Sequence, residues 1–383
     1  MIQLRHSACL SLLFACTALP ALASDAWVTP TPEELQMTSI PQVPGATAVY
    51  LDLEQTTDDH LRMFSYYVRL KVLTEGGKDY ANVELPYVAG HGGRTLDDIA
   101  GRTVQPDGTV VPFTGKPYEK LIAKGNDYKY KAKVFTLPAV QVGSILEYRY
   151  KIHYDDNYFI NPNWLIQSEL YLKKGHYQWT PTGNNVSDPD DGGSVSNTVA
   201  WTPILPAGVT VKQGTIAGVE TLTLDVADIP PMAKEAMMPP TDSLSYRVLF
   251  YYTNYRTPDQ YWKSVGDRWS GKRNHFVGPD SKVKGAVAAL TVAGETQDQT
   301  LRRIYAQIMT FENTDFTRQQ TVVEDKAHGL KESTTAGDIL ERKRGTGDEL
   351  AQLFVAMARA AGMKSYVMAV ANRSHRFFLS SYL

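Results

Sequence analysis

Cysteine is nearly missing. The chain of 383 residues holds two, Cys9 and Cys16, and none follows. Everything beyond residue 16 therefore lacks the means for a disulfide, a thiolate metal site or a cysteine nucleophile. Long apolar runs are missing too: past the first residues no stretch reaches the roughly 18 residues that a membrane helix needs. Positive charge is not in excess. The formal net charge is −2, which gives no general drive toward nucleic acid or anionic lipid. His-Glu-x-x-His, a cysteine cluster and an EF-hand loop are all absent, so no motif asks for a metal or cofactor and none is expected. Gly-x-Ser-x-Gly is absent as well, which removes the common serine-hydrolase signature.

What is present starts with an export signal. Met1 to Arg5 carries one positive charge, "ACLSLLFACTAL" (8–19) is an apolar core, and Ala21-Leu22-Ala23 is a small-x-small cleavage pattern. Residues 1–23 read as a signal peptide with Ser24 as the new N-terminus. Its removal takes away both cysteines and Arg5, moving the net charge from −2 to −3. The expected location is periplasmic or secreted, with no membrane span after cleavage.

The polar, proline-rich stretch 24–45 reads as an irregular lead-in. From 46 to 255 the signals are strand and turn. "RMFSYYVRLKVL" (62–73), "TEGGKD" and "YANVELPY" (80–87) suggest a hairpin. "GRTVQPDGTVVPF" (101–113) sets a Pro-Asp-Gly turn between two β-branched runs. "KYKAKVFTLPAV", "GSILEYRYKIHY", "TVAWTPIL" and "ETLTLDVADI" continue the pattern. Many short strands with regular turns indicate an antiparallel β-sandwich. After "SYRVLFYYTNY" (245–255) the period changes. Thr257-Pro258 opens a helix carrying Trp262, Val265 and Trp269. "SKVKGAVAALT" (281–291) is a second helix. In "DQTLRRIYAQIMTF" (298–311), Leu301, Ile304, Tyr305, Ile308 and Met309 form a helical stripe. Residues 312–338 are polar and weakly patterned. The fold class is thus α+β and multidomain: 46–255 a sandwich, 256–383 a helical α+β core.

The most ordered local pattern is "GTGDELAQLFVAMARAAGM" (345–363). Leu350, Leu353, Phe354, Met357 and Ala361 make an apolar stripe, and Gly362 suits a C′ position. Thr346 and Glu349 form a capping box around Gly347 and Asp348. "KSYVMAV" (364–370) then reads as a buried strand. On pattern alone this is a well-capped core helix.

The stretch "GTGDELAQLFVAMARAAGMKSYVMAV" also resembles the central motif of transglutaminase-like domains, a papain-like cysteine fold. There a Gly-x-Cys-x-x-x-Ala segment opens a helix, and the helix end favours a thiolate. "PDGTVVPF", "KVFTLPAVQVGSILEYRYKI" and "VADIPPMAKEAMMPP" resemble an N-terminal β-sandwich of unknown function found in exported bacterial proteins, fused to such a core. The resemblance implies cysteine-protease or transglutaminase chemistry with a histidine and an aspartate on later strands. This chain departs from it. With Gly345 and Ala351 as the motif glycine and alanine, the nucleophile position falls on Gly347, followed by Asp348. The family histidine and aspartate would fall beyond Leu383, and the core reads as incomplete, from a fragment or a truncated product. His375 stands too early and reads as a surface residue.

Other groups read plainly. Thr346 is a cap rather than a nucleophile, since no base or free amine adjoins it in sequence. "AGHGGR" (89–94) is a turn, and "DPDDGG" (188–193) misses the calcium-loop spacing. Lys129, Lys131 and Lys133 share one strand face and suggest a protected edge. The 22 tyrosines suit a glycan or peptide surface and strand packing equally. The leading expectation is a non-catalytic exported module that binds peptide, protein or glycan of the cell envelope. The competing ones are a cysteine-independent hydrolase or acyl transferase in the same cleft, and glycan recognition by the sandwich alone.

Overall fold

The computed structural model describes residues 27–90, 94–124, 128–154, 162–183, 186–187, 194–195, 198–233, 235–255, 257–316 and 333–371. The signal segment, residues 91–93 of "AGHGGR", "DPDDGG", His328 and His375 lie outside them. The chain opens with a short helix, α1 (Pro32–Gln36). Strands follow: β1 (Ala48–Asp58), β2 (Met63–Val72), β3 (Asn82–Gly90), β4 (Thr95–Val104), β5 (Val110–Pro112), β6 (Tyr118–Lys124), β7 (Tyr128–Thr136) and β8 (Ile145–His153). Next come β9 (Asn163–Leu165), β10 (Leu172–Thr180), β11 (Val186–Ser187), β12 (Ser194–Val195), β13 (Val199–Ile204), β14 (Lys212–Ile216), β15 (Val219–Ile229) and β16 (Arg247–Tyr252). The remainder is mostly helical: α2 (Pro258–Phe276), α3 (Ser281–Leu290), α4 (Gln297–Ile308), β17 (Glu312–Asn313), α5 (Ala336–Arg342), β18 (Arg344–Gly345) and α6 (Gly347–Ala360).

One eight-stranded sheet, in the order β14-β15-β10-β1-β2-β8-β4-β5, forms the base. Two three-stranded sheets, β3-β7-β6 and β13-β16-β9, pack side by side on one face of it. Strand β2 explains the layering. Val68, Leu70 and Val72 point inward, and Arg69 and Lys71 alternate with them onto the opposite face. Under the second small sheet, Trp164, Trp179 and Phe250 meet edge to face, with Phe250 4.5 Å and 5.1 Å from the two indoles.

Several expectations change here. The base sheet is not wholly antiparallel, because β1 and β10 run parallel. The segments 62–73 and 80–87 do not form a hairpin. A 3₁₀ turn over Glu75–Ala81 carries the chain from β2 in the base sheet to β3 in a covering sheet. The Pro-Asp-Gly turn does form one, joining β4 to β5. Strand β7 is the centre of its sheet, not an edge. Its lysines balance carboxylates on the neighbour: Lys131 lies 2.5 Å and Lys133 3.4 Å from Glu119 on β6.

The lead-in is not irregular either. Thr31 and Glu34 make a capping box on α1. Residues 27–43 then lie over the outer face of the base sheet, where charges alternate across strands: Lys174, Asp52, Arg69, Glu147, Arg102. Glu147 is fully buried and accepts from Arg69 (2.9 Å), Arg102 (2.5 Å) and Tyr67 (2.6 Å). Glu34 reaches Arg69 at 3.2 Å, and both arginines donate to the Val28 carbonyl. Buried Lys71 donates to the carbonyls of Leu35 (2.8 Å) and Gly143 (2.6 Å). Desolvation lowers its ammonium pKa, against a smaller opposing pull from Glu34.

In the helical part, Val283, Val287, Ile304, Ile308, Ile339, Leu353 and Met357 share one core. The α4 stripe is rotated from its expected setting. Thr300, Ile304 and Ile308 are buried, whereas Tyr305 and Met309 are exposed. Residues 364–370 do not form a strand. Among the described residues they pair with none, and Tyr366, Met368 and Val370 are exposed. Only the alternation survives, with Val367 resting on the helical core.

Candidate functional site

The helix at Gly347 forms as its sequence demands. Thr346 Oγ1 accepts from Glu349 N at 3.2 Å, and Glu349 Oε2 accepts from Thr346 N at 2.8 Å. At the far end Gly362 adopts φ +85°. Its N–H bonds to Arg359 O, and Met363 N bonds to Ala358 O, the paired bonds of a Schellman motif. Leu353, Ala356 and Met357 fill the core, while Leu350 and Phe354 pack on its margin.

Short parallel pairing places a second segment beside the helix start. Strand β17 aligns with β18, setting Asn313 against Gly345. The chain then turns, with Asn313 Oδ1 accepting from Asp315 N at 3.0 Å. This turn aims Asp315 at the helix end, and its Oδ2 accepts from Gly347 N at 2.9 Å. A Cβ at residue 347 would stand 2.8 Å from that oxygen, closer than real contacts allow. The helix start at Gly347 therefore carries no side chain and is faced by a carboxylate from 32 residues upstream.

The electrostatics are self-contained. A helix N-terminus presents unsatisfied N–H groups and a partial positive charge of about half a unit. Here Asp315, Thr346 and Glu349 take the N–H groups of residues 347, 349 and 346. Asp348 adds a further negative charge in the first turn. Its carbonyl receives Gln352 Nε2 at 3.2 Å, and buried Gln352 in turn accepts from Arg273 at 3.2 Å. Such a site already holds its own anion and opposes another.

Sequence reading located Thr346, Gly347, Asp348 and Glu349, and the structure brings all four to one helix end. It missed Asp315. The signal was the Asn-x-Asp of 313–315, a side-chain turn pattern inside a stretch that looked weakly patterned. The described histidines, His60, His153, His176 and His275, do not gather there. Among the described residues no cluster of metal-ligating side chains occurs.

With this geometry in view, comparison with known proteins is informative about fold. Residues 58–232 match the model of a domain of unknown function with a solved structure, DUF3857. That span lies within the sheet-rich part. A crystal structure from Parabacteroides distasonis ATCC 8503, described as that of a "putative protease", matches with a TM-score of 0.52 at 17% identity. The match covers 82% of this chain and 59% of the other, so this chain spans under two thirds of that protein's length. An M1 zinc metallopeptidase variant from Deinococcus radiodurans matches at a TM-score of 0.21 and 12% identity, over 53% of this chain and 42% of that one. The second likeness is too slight to carry weight. A search of curated proteins finds no match. The shared feature is a mixed α+β fold with a sheet-rich N-terminal part.

Proposed function

We propose that this chain is a non-catalytic, transglutaminase-like module of the cell envelope that binds a polymer rather than cutting or joining it. The observation that carries the reading is the hydrogen bond from Gly347 N to Asp315 Oδ2 at 2.9 Å. Thiol chemistry at a helix start needs a sulfur atom there and a positive field to hold it as thiolate. This chain offers a glycine, a carboxylate already bonded, and no cysteine after Cys16. The fold likeness to the Parabacteroides protein supports a common frame, and the site argues that the frame is used without the chemistry. The signal-like residues 1–23 support export to the periplasm or beyond.

The competing reading, a cysteine-independent hydrolase or acyl transferase, would use a Ser, Thr, His or carboxylate group of the same cleft, and Thr346 is the hydroxyl next to Gly347. Its hydroxyl already serves as the cap, accepting from Glu349 N at 3.2 Å. The test is to assay the purified chain for amine incorporation into a glutamine-bearing protein and for cleavage of a mixed peptide library. Rates at buffer background are expected. Robust turnover that resists thiol reagents and disappears in Thr346→Ala would reverse the reading.

A further inference from the structure

The covering sheet β3-β7-β6 and the base sheet do not close completely. Between them, and bounded by the start of β9 in the other covering sheet, lies a cleft of about 360 Å³, within the usual range of roughly 300–1,000 Å³ for ligand sites. Gln55, Thr57, Phe64, Tyr87, Tyr130 and Asn163 line it. Aromatic rings share the lining with the aliphatic Val88 and Ile152 and two prolines, and the two amides and the threonine hydroxyl lie among them. Arg94 stands at its wall, and no carboxylate lines it among the described residues.

Two observations make this more than a gap. Thr57 is 3% exposed, and among the described residues its Oγ1 has no hydrogen-bond partner. Leaving a buried hydroxyl unsatisfied is costly, so a polar partner entering the cleft would be rewarded. Moreover, the walls are braced from behind. Tyr87 donates to Glu119 at 2.6 Å, and Glu119 is held by Lys131. Tyr154, also lining the cleft, donates to buried Asp59 at 2.8 Å, which accepts from Trp179 and Tyr252 as well. Rings fixed in this way lose little freedom on binding.

The ligand class follows from the lining. A peptide added as a strand would use the edge of β3 that is unpaired among the described residues, but Pro86 lies on β3 at the cleft and offers no N–H. Aromatic faces with neutral hydroxyl and amide groups instead suit a pyranose ring, apolar on one face and hydroxylated at its rim. We propose that the cleft is a binding site for a neutral oligosaccharide, with Tyr130 as the exposed stacking platform and Thr57 as the buried hydroxyl contact. This names the ligand class for the binding reading above and rests on it.

Isothermal titration calorimetry of the purified chain against maltohexaose, cellohexaose and hexa-N-acetylchitohexaose tests it. At least one sugar should bind saturably. Tyr130→Ala should weaken that binding about tenfold. Thr57→Val, which keeps the shape, should weaken it about three- to tenfold while moving the thermal midpoint by less than about 3 °C. Tyr118→Ala, an exposed tyrosine on β6 outside the cleft, should change nothing. A blank with all three sugars overturns the proposal, as does binding indifferent to both cleft variants or displaced equally by an unstructured peptide. A blank here with no turnover in the assays above removes the cleft and leaves the non-catalytic reading. Turnover with intact sugar binding does the reverse.

Discussion

Replacing Gly347 with cysteine puts a thiol at the start of this helix, and the structure says what the new thiol meets. Its Cβ would lie 2.8 Å from Asp315 Oδ2, so the carboxylate must shift and release Gly347 N. Asp315 is exposed, so screening is strong. A unit charge about 4 Å away then opposes the thiolate by about 1 kcal/mol, the value in bulk water. The helix end favours the thiolate by about 0.3–1 kcal/mol. The two effects nearly cancel. The Gly347→Cys thiol is therefore expected to titrate near the ordinary value of about 8.5, not in the activated range of about 3.5–7.5. Adding Asp315→Asn removes the opposing charge and should lower the pKa by about half to one unit, at about 1.36 kcal/mol per unit. The assay is the rate of iodoacetamide alkylation against pH, read by mass spectrometry. A thiol in the single variant that titrates below about 7, unchanged by Asp315→Asn, refutes the claim that this carboxylate governs the site.

Three further outcomes follow from the same contacts. Thr346→Ala removes the cap and should cost about 1 kcal/mol in urea unfolding of the helical part, with far-UV dichroism otherwise unchanged. Glu147→Ala takes from buried Arg69 the fully buried carboxylate that accepts from it at 2.9 Å, so a loss of about 3–5 kcal/mol is expected, with the urea slope unaltered. Hydrogen bonds from Lys131 and then Tyr87 hold the Glu119 carboxyl down at about 2. Its folded pKa is below its unfolded one, so its stabilising effect is complete above about pH 4.5 and fades as pH falls toward 2. The gap in thermal midpoint between the parent chain and Glu119→Gln should be flat from about pH 5 to 7 and close below about pH 4.

The parts of this fold legible in sequence are those set by near neighbours. Thr346 with Glu349, Thr257 with Pro258, and the Pro-Asp-Gly turn each depend on contacts a few residues apart, and each forms as read. What was hidden depends on pairing. Strand β7 has the same lysine alternation whether it sits at an edge or in the middle, because period 2 records faces and not neighbours. The segments 62–73 and 80–87 carry hairpin-like composition, yet the turn between them crosses to another sheet. On α4 the residues at 304 and 308 are buried as expected, but the stripe turns toward Thr300 rather than Tyr305. Asp315 is the extreme case. Its role exists only because β17 and β18 align two segments separated by a stretch with little local signal. At the candidate site, then, the cap was legible, and the carboxylate that faces Gly347 was not.

The central claim is that the helix start at Gly347 has no covalent chemistry left to offer. The most direct measurement is intact-mass spectrometry of the purified chain after incubation with an electrophilic peptide acyl donor, followed by peptide mapping. The account predicts an unmodified mass, identical for the parent chain and for Thr346→Ala. A stoichiometric adduct mapped to residues 346–349 would contradict it.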